Sequence, residues 1–289
     1  MTLWFKRRRD EAMLLGIDVG GSTTKIIGLD NGVVQSPMYI TAADPITSLF
    51  GAFGKYVYDN SISLSDIEHV MLTGVGASGV TTPIYGLPTS RAGEFECDGL
   101  GAKFAVDIDP LMVVSMGTGT TLVQVNGDVI SHAGGISMGG GTMQGLSRLL
   151  LNVRNIPNLI EMASHGDLSK VNLQIKDISK DVLEGLPMHA TASLFGKAVN
   201  NQVSNEDVAK GIIVMVLETI GSAAVLSTLN SGIKDFCMIG NLTRMEECRE
   251  VFSVMEDLYG VRFHIPENAV FLTALGAALA YTKNKFQPL

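Results

Sequence analysis

The sequence predicts an α/β protein built from two related lobes, and a small set of observations carries that prediction. Residues 14–34 (LLGIDVGGSTTKIIGLDNGVV) and 112–130 (MVVSMGTGTTLVQVNGDVI) share one order: apolar strand, Gly/Thr/Ser turn, second strand, Asn-Gly turn, third strand. Asn-Gly is a strong hairpin signal because both residues accept positive φ. Two such units in the same order point to an internal duplication, one unit opening each lobe. Helical periodicity between and after them supplies crossovers, so mixed sheets are expected. A boundary is expected at residues 107–110, giving lobes of 13–109 and 110–289, with the last helix free to pack back toward the first lobe.

After the first unit, a helix is expected over residues 45–58, with Ile46, Leu49, Phe50 and Phe53 on one face. A short strand at 69–73, a glycine-rich turn at 74–79 and a helix over 92–106 complete the lobe. In the second lobe a helix follows Gly141, and the polar stretch 164–187 reads as irregular. A long helix over 206–229 precedes a strand at 236–239, which breaks at Gly240-Asn241 into a helix over 245–258. The last helix is expected over 271–281. Residues 211–229 are apolar enough to mimic a membrane span, but Glu218 and the run Gly221, Ser222, Ala223, Ala224 assign a helix buried between layers.

Composition limits the function classes. With 46% hydrophobic and 17% charged residues over 289 positions, the chain reads as globular and well buried. A net charge of −8 argues against nucleic acid or an anionic membrane as the main partner. Cys97, Cys237 and Cys248 lack metal-ligand spacing and suggest reduced thiols in the cytoplasm. The opening MTLWFKRRRDEAM has a basic run without a following apolar segment and reads as a short lead-in. His165 and His189 have no close Cys or His companions for zinc, and the methionines read as core filler.

The chemistry lies in the glycine turns. A strand–turn–strand bend without side chains lets several backbone N–H groups converge on a phosphate. The first turn carries Gly20, Gly21, Ser22 and Thr23, with Asp18 before it and Lys25 after it. Asp18 is placed to hold a hydrated Mg²⁺, and Lys25 to set a point charge on phosphoryl oxygens. The second turn, Gly117, Thr118, Gly119 and Thr120, offers amides and hydroxyls without charge. Either turn alone reads as a tight hairpin; the pair together, with Asp18, reads as a polyphosphate clamp. Gly139, Gly140 and Gly141 lead into a helix, whose N-terminus presents free N–H groups and a positive dipole end. Gly240 and Asn241, at a strand-to-helix bend without bulk, offer room for a flat adenine.

Taken in order, these pieces resemble the type II pantothenate kinases, within the superfamily of acetate and sugar kinases, heat-shock proteins and actin. GIDVGGSTTK (16–25) resembles that family's first phosphate loop and MGTGTT (116–121) its second. GGISMGGGTMQGLSRLL (134–150) resembles its most specific signature, and EMASHGD (161–167), ATASLFG (190–196), IGNL (239–242) and ENAVFLTALGAAL (267–279) follow in order. The resemblance implies a duplicated actin-like (ribonuclease H-like) fold with ATP in a cleft between lobes. It also implies phosphorylation of pantothenate at its primary hydroxyl, the first step of coenzyme A biosynthesis, by a cytoplasmic homodimer using ATP and Mg²⁺. The phosphate and metal groups would be Asp18, Gly20, Gly21, Ser22, Lys25, Gly117, Thr118 and Gly119. Gly139, Gly140, Gly141 and Gln144 would border the nucleotide, and Ala192 the substrate.

RAGEFECDGLGAKF (91–104) resembles the family's helix bearing a catalytic glutamate, which places Glu94 as the base that accepts the hydroxyl proton. Read without the resemblance, Glu94, Glu96 and Asp98 form a solvated acidic face. His132 stands where the family usually has an arginine that helps hold pantothenate; an imidazole lacks the bidentate fork. Three readings of His132 stay open: a weaker substrate ligand, the mark of another acceptor such as pantetheine or an amino sugar, or a strand residue beside the site. Arg148 and Arg154 read as structural or surface groups. Val270, Phe271 and Leu272 stand where the family commonly has smaller residues, which could reshape the nucleotide or partner-facing wall. A dehydratase-activating ATPase, whose relatives bridge an iron–sulfur cluster with cysteines, and a non-catalytic ATP-binding regulator are the alternatives outside the small-molecule kinases.

Overall fold

The computed structural model describes residues 13–21, 23–41, 44–181, 187–199 and 202–289. Ser22 and the lead-in up to residue 12 lie outside the described residues. In chain order the elements begin β1 (Met13–Val19), β2 (Thr23–Asp30), β3 (Val33–Thr41), α1 (Pro45–Asp59), β4 (Ile67–Thr73), β5 (Thr89–Arg91) and α2 (Glu94–Val106). They continue β6 (Leu111–Met116), β7 (Thr120–Asn126), β8 (Val129–Ile136), α3 (Gly140–Leu151), α4 (Ile156–Ser164), α5 (Leu168–Val171), β9 (Leu173–Gln174) and α6 (Ile175–Ile178). The remainder are β10 (Thr191–Ser193), α7 (Asn205–Ser227), β11 (Asp235–Ile239), α8 (Glu246–Tyr259), β12 (Arg262–His264), α9 (Leu272–Thr282) and β13 (Gln287–Pro288).

The chain forms two units, one made of residues up to Asp107 together with Phe271–Leu289, the other of Ile108–Val270. The first holds a six-stranded sheet in the order β13-β5-β4-β1-β2-β3. The second holds a five-stranded sheet in the order β12-β11-β6-β7-β8. Without β13 the two orders are the same. In each, three antiparallel strands in sequence are flanked by two parallel ones.

Local chemistry explains the elements. β1 (MLLGIDV) is buried along its whole length, as a central strand covered on both faces must be. Asp44 caps α1 by accepting from the Thr47 N–H, and Pro45 begins the helix without a lost donor. Its buried line is Leu49, Ala52, Phe53 and Tyr56, whereas Ile46, expected on that face, is 37% exposed. α7 begins with a capping box between Ser204 and Asp207. This long apolar helix packs within its unit against α3, α4, α5 and α8. Its length and composition would suffice to cross a membrane, but its apolar side chains supply much of the second unit's core.

The second hairpin corrects one expectation. In the first unit Asp30 pairs with Val33, leaving Asn31 and Gly32 as the turn, both at positive φ. In the second, Asn126 pairs with Val129, so the turn is Gly127-Asp128 with Gly127 at φ +60. Glycine at the first central position is the other favoured two-residue turn. The stretch 164–187 also contains more structure than expected, since α5, β9 and α6 fall inside it.

Candidate active site

In the first unit the β1–β2 turn is closed by the Gly20 N–H, which donates to the Thr23 carbonyl at 2.9 Å. At its foot the Lys25 ammonium donates to Asp18 Oδ2 at 2.9 Å, and both side chains are more than nine-tenths buried. Gly21 is open: a Cβ there would meet nothing within 4 Å. The other carboxylate oxygen of Asp18 faces Gly74, immediately after β4. A Cβ on Gly74 would lie 2.5 Å from Asp18 Oδ1 and 2.5 Å from the Val19 carbonyl, and its φ is +89. Glycine is therefore required here twice over, by conformation and by space. The sequence reading saw residues 74–79 only as a turn and missed this role.

Glu94 starts α2, directly after the short loop from β5. It is half-buried, and burial pushes its carboxyl above the ordinary glutamate value; Asp18 pushes the same way, and Lys25 pulls it back. The acidic-face alternative does not describe this helix. Asp98 is fully buried and accepts from Thr273 Oγ1 at 2.6 Å, and Glu96 is held by the Lys285 ammonium at 2.6 Å. Arg91, at the end of β5, donates to the Val80 and Ser78 carbonyls and so ties down the loop that begins at Gly74. A half-buried carboxylate beside a buried Asp–Lys pair is an arrangement able to take a proton from a hydroxyl next to bound phosphate.

A divalent ion fits this corner in one way. Among the described residues no three His, Cys, Asp or Glu side chains gather into a metal cluster. Asp18 offers a carboxylate with one oxygen on Lys25, and Glu94 is the other carboxylate at this corner. That suits Mg²⁺, which keeps its waters and takes phosphate oxygens more readily than a protein cage.

In the second unit the equivalent turn is built differently. The Gly117 N–H donates to the Gly119 carbonyl, while the Gly140 and Gly141 N–H groups donate to the carbonyls of Gly117 and Thr118, all at 2.9 Å. The expected free N–H groups at the start of α3 are thus consumed at Gly140 and Gly141: they brace the turn. A Cβ on Gly139 would lie 2.7 Å from the Thr118 carbonyl, and one on Gly141 2.8 Å from the Thr118 methyl carbon. Thr118 and Gly119 themselves are exposed, as is Gln144 on α3.

Gly240 also differs from expectation. It follows β11 as Gly74 follows β4, with φ +92, and a Cβ would lie 2.6 Å from the Met116 carbonyl. The glycine serves close approach of main chain to main chain, and Asn241 opens a short 3₁₀ turn after it. His132 lies exposed on β8, opposite Val123. Ala192 lies exposed on β10, in the separate β9–β10 pair, where Thr191 Oγ1 donates to Glu218 at 2.9 Å. The structure thus gathers Asp18, Gly20, Gly21, Lys25 and Glu94 in the first unit. It gathers Gly117, Thr118, Gly119, Gly139, Gly140 and Gly141 in the second, with His132 and Ala192 on different sheets.

The family model described as Fumble matches residues 100–279, more than half of the chain. The type II pantothenate kinase of Staphylococcus epidermidis (strain RP62A) is 28% identical over 275 residues, which cover 92% of this chain and 99% of that protein. Pantothenate kinase 1 of Arabidopsis thaliana is 30% identical over 207 residues, covering 65% of this chain and 54% of that protein. Among solved structures, the activator of the 2-hydroxyisocaproyl-CoA dehydratase from Clostridium difficile with bound ADPNP superposes with a TM-score of 0.67 at 16% identity, covering 94% of this chain and 95% of that one. A ROK family protein from Streptococcus pneumoniae in complex with sucrose superposes with a TM-score of 0.56 at 12% identity, over 94% of this chain and 98% of that one. These likenesses establish the actin-like fold with its mixed sheets.

Proposed function

The chain belongs to the Fumble family, and from that premise we propose that it is an ATP-dependent pantothenate kinase catalysing the first step of coenzyme A biosynthesis. The observation that carries the reading is Glu94: a half-buried carboxylate with a raised pKa, electrostatically coupled to the buried Asp18–Lys25 pair. Glu94 takes the proton from the primary hydroxyl of pantothenate as that oxygen attacks the γ-phosphorus. The bond to the bridging oxygen breaks, and ADP and 4′-phosphopantothenate result. Lys25 sets positive charge on the phosphoryl oxygens, and Gly20 and Gly21 let the backbone approach them. Bound Mg²⁺, held by Asp18 through water, would neutralise phosphate charge. In the second unit Thr118 and Gly119 are exposed at their turn, and the Gly140 and Gly141 N–H groups keep it rigid. The enzyme works in the cytoplasm as a homodimer.

One observation favours a second reading. His132 is an exposed strand residue without the fork that clamps a carboxylate, which suits a kinase of the same fold acting on pantetheine or an amino sugar. The dehydratase-activating ATPase has less support: Cys97, Cys237 and Cys248 are all buried, with the Cys248 thiol pushed up to about 12 by burial.

The test is ADP release by the purified chain with pantothenate, pantetheine and N-acetylglucosamine offered separately. Pantothenate-dependent ADP release with 4′-phosphopantothenate as product is expected. ADP release unchanged by pantothenate overturns the reading, and release driven by pantetheine or the amino sugar alone transfers it to the second one.

A further inference from the structure

The first unit carries one strand, β13, for which the second has no counterpart among the described residues, and the segment that bears it holds the chain on both sides of Glu94. After α9 the backbone reverses at Asn284, which sits at φ +54, while the Lys285 N–H still donates to the Ala280 carbonyl at 2.9 Å. Phe286 stacks on Tyr281 with ring centroids 5.3 Å apart, and Tyr281 in turn lies 4.5 Å from the His69 ring. His69 Nε2 is 2.8 Å from Ser90 Oγ on β5. Gln287 and Pro288 then pair antiparallel with Arg91 and Ser90, and the Leu289 N–H donates to the Thr89 carbonyl at 3.3 Å. Leu289 packs against the core of the unit.

The second anchor is ionic. Lys285 reaches Glu96 at 2.6 Å, in the first turn of α2. β5 leads into Glu94 from one side and Glu96 follows it on the other, so one short segment fixes the entry to the helix and its first turn together. An exposed surface pair would contribute little. This one is about two-thirds buried or more on each side and is joined to a strand pairing and an aromatic stack.

We propose that residues 283–289 are a positioning strap for Glu94, anchored by Lys285 on α2 and by β13 on β5. The proposal rests on the reading of Glu94 as the base. Lys285 is a positioning residue, since it holds Glu96 and acts on Glu94 through the helix.

The experiment compares the full chain with three variants: a chain ending at Asn284, Lys285→Ala and Lys285→Arg. Each is measured for kcat, KM for ATP, melting temperature and hydrogen exchange of the peptide spanning 94–100. The shortened chain is expected to lose about tenfold to a hundredfold in kcat, the scale of a misplaced catalytic group. Its KM for ATP should hold within about twofold, and exchange should rise in the 94–100 peptide while the rest of the unit stays protected. Lys285→Ala should lose about twofold to fivefold in kcat, and Lys285→Arg should restore it.

Wild-type kcat and exchange in both the shortened chain and Lys285→Ala overturn the strap. So does a loss of kcat that comes only with a collapse of the melting temperature in both. Glu94→Gln separates the two layers. If it is inactive while the strap variants are fully active, the strap alone fails. If it is as active as wild type, the base reading fails and takes the strap's purpose with it.

Discussion

The turn after β1 and the turn after β6 occupy the same place in two sheets of the same strand order, yet they are made for different work. The first contains a buried charge pair and an open glycine, with Glu94 electrostatically in reach. The second has no charge and is closed from behind by main-chain hydrogen bonds from Gly140 and Gly141. Duplication gave both units the same bend; specialisation put the titratable groups on one and the stiffness on the other. What the two retain in common is the glycine after the neighbouring parallel strand, Gly74 and Gly240, each at a φ near +90 and each pressed on the end of β1 or β6.

That division predicts that changes near the first turn act on turnover and changes near the second act on stability. The largest effect is expected from Glu94→Gln, which should lower kcat by about 10²–10⁴-fold with the fold intact, measured by steady-state ADP release. Gly74→Ala comes next. Its Cβ collides with Asp18 and Val19, so kcat should fall about tenfold to a hundredfold, and a wild-type rate would break the assignment of Asp18 to the site. Gly139→Ala should instead cost about 1–3 kcal/mol of stability through overpacking against Thr118 and Gly119. In a thermal melt that is a fall of about 2–12 °C.

The pH dependence sharpens the same contrast. The base must be ionised, so kcat/KM should fall as the pH drops through a value above the ordinary glutamate range. Lys25→Met, which removes the charge that pulls Glu94 down, should move that limb to still higher pH. It also leaves the buried Asp18 carboxylate alone, at about 3–5 kcal/mol of stability. Because the folded-state pKa of Glu94 is raised, its ionisation opposes folding once the pH exceeds the unfolded value. Glu94→Gln should therefore raise the melting temperature at neutral pH and leave it unchanged below about pH 4, where both states are protonated. The smallest effect belongs to Gly21→Ala. The space there is open, so stability should change by less than about 0.5 kcal/mol, and any rise in KM for ATP reports a ligand approaching the bend.

Features set by neighbouring residues were legible in the sequence. The start of α1 at Pro45, the two hairpin units and the strand-to-helix bend at Gly240 all follow from local conformational preference. Asp18 and Lys25 were singled out by chemical type, Glu94 only through the family resemblance. What was not legible depends on pairing across distance. β5, β12 and β13 span only two or three residues each, and their neighbours in the sheet define them. The turn at Gly127-Asp128 shifts by one residue from Asn-Gly because the β7–β8 register fixes it. The Gly140 and Gly141 N–H groups carry no residue-type mark that would reveal their carbonyl partners. The packing of Gly240 on Met116 is equally silent in the sequence, although the matching glycine after HVMLT and after FCMI could have hinted at a shared role.

The order in which the chain is made gives the packing of α9 a further meaning. A Cβ on Gly16 would collide with the backbone of Ala274, so β1 leaves a groove into which α9 settles, against β2, β4 and α2 as well. The second unit is one continuous stretch, Ile108–Val270, whereas the first needs residues from both sides of it. On the ribosome the groove stands empty from the emergence of α2 until α9 has been made, a wait on the order of ten to thirty seconds at ordinary elongation rates. The unit that carries the charged turn is begun first and closed last.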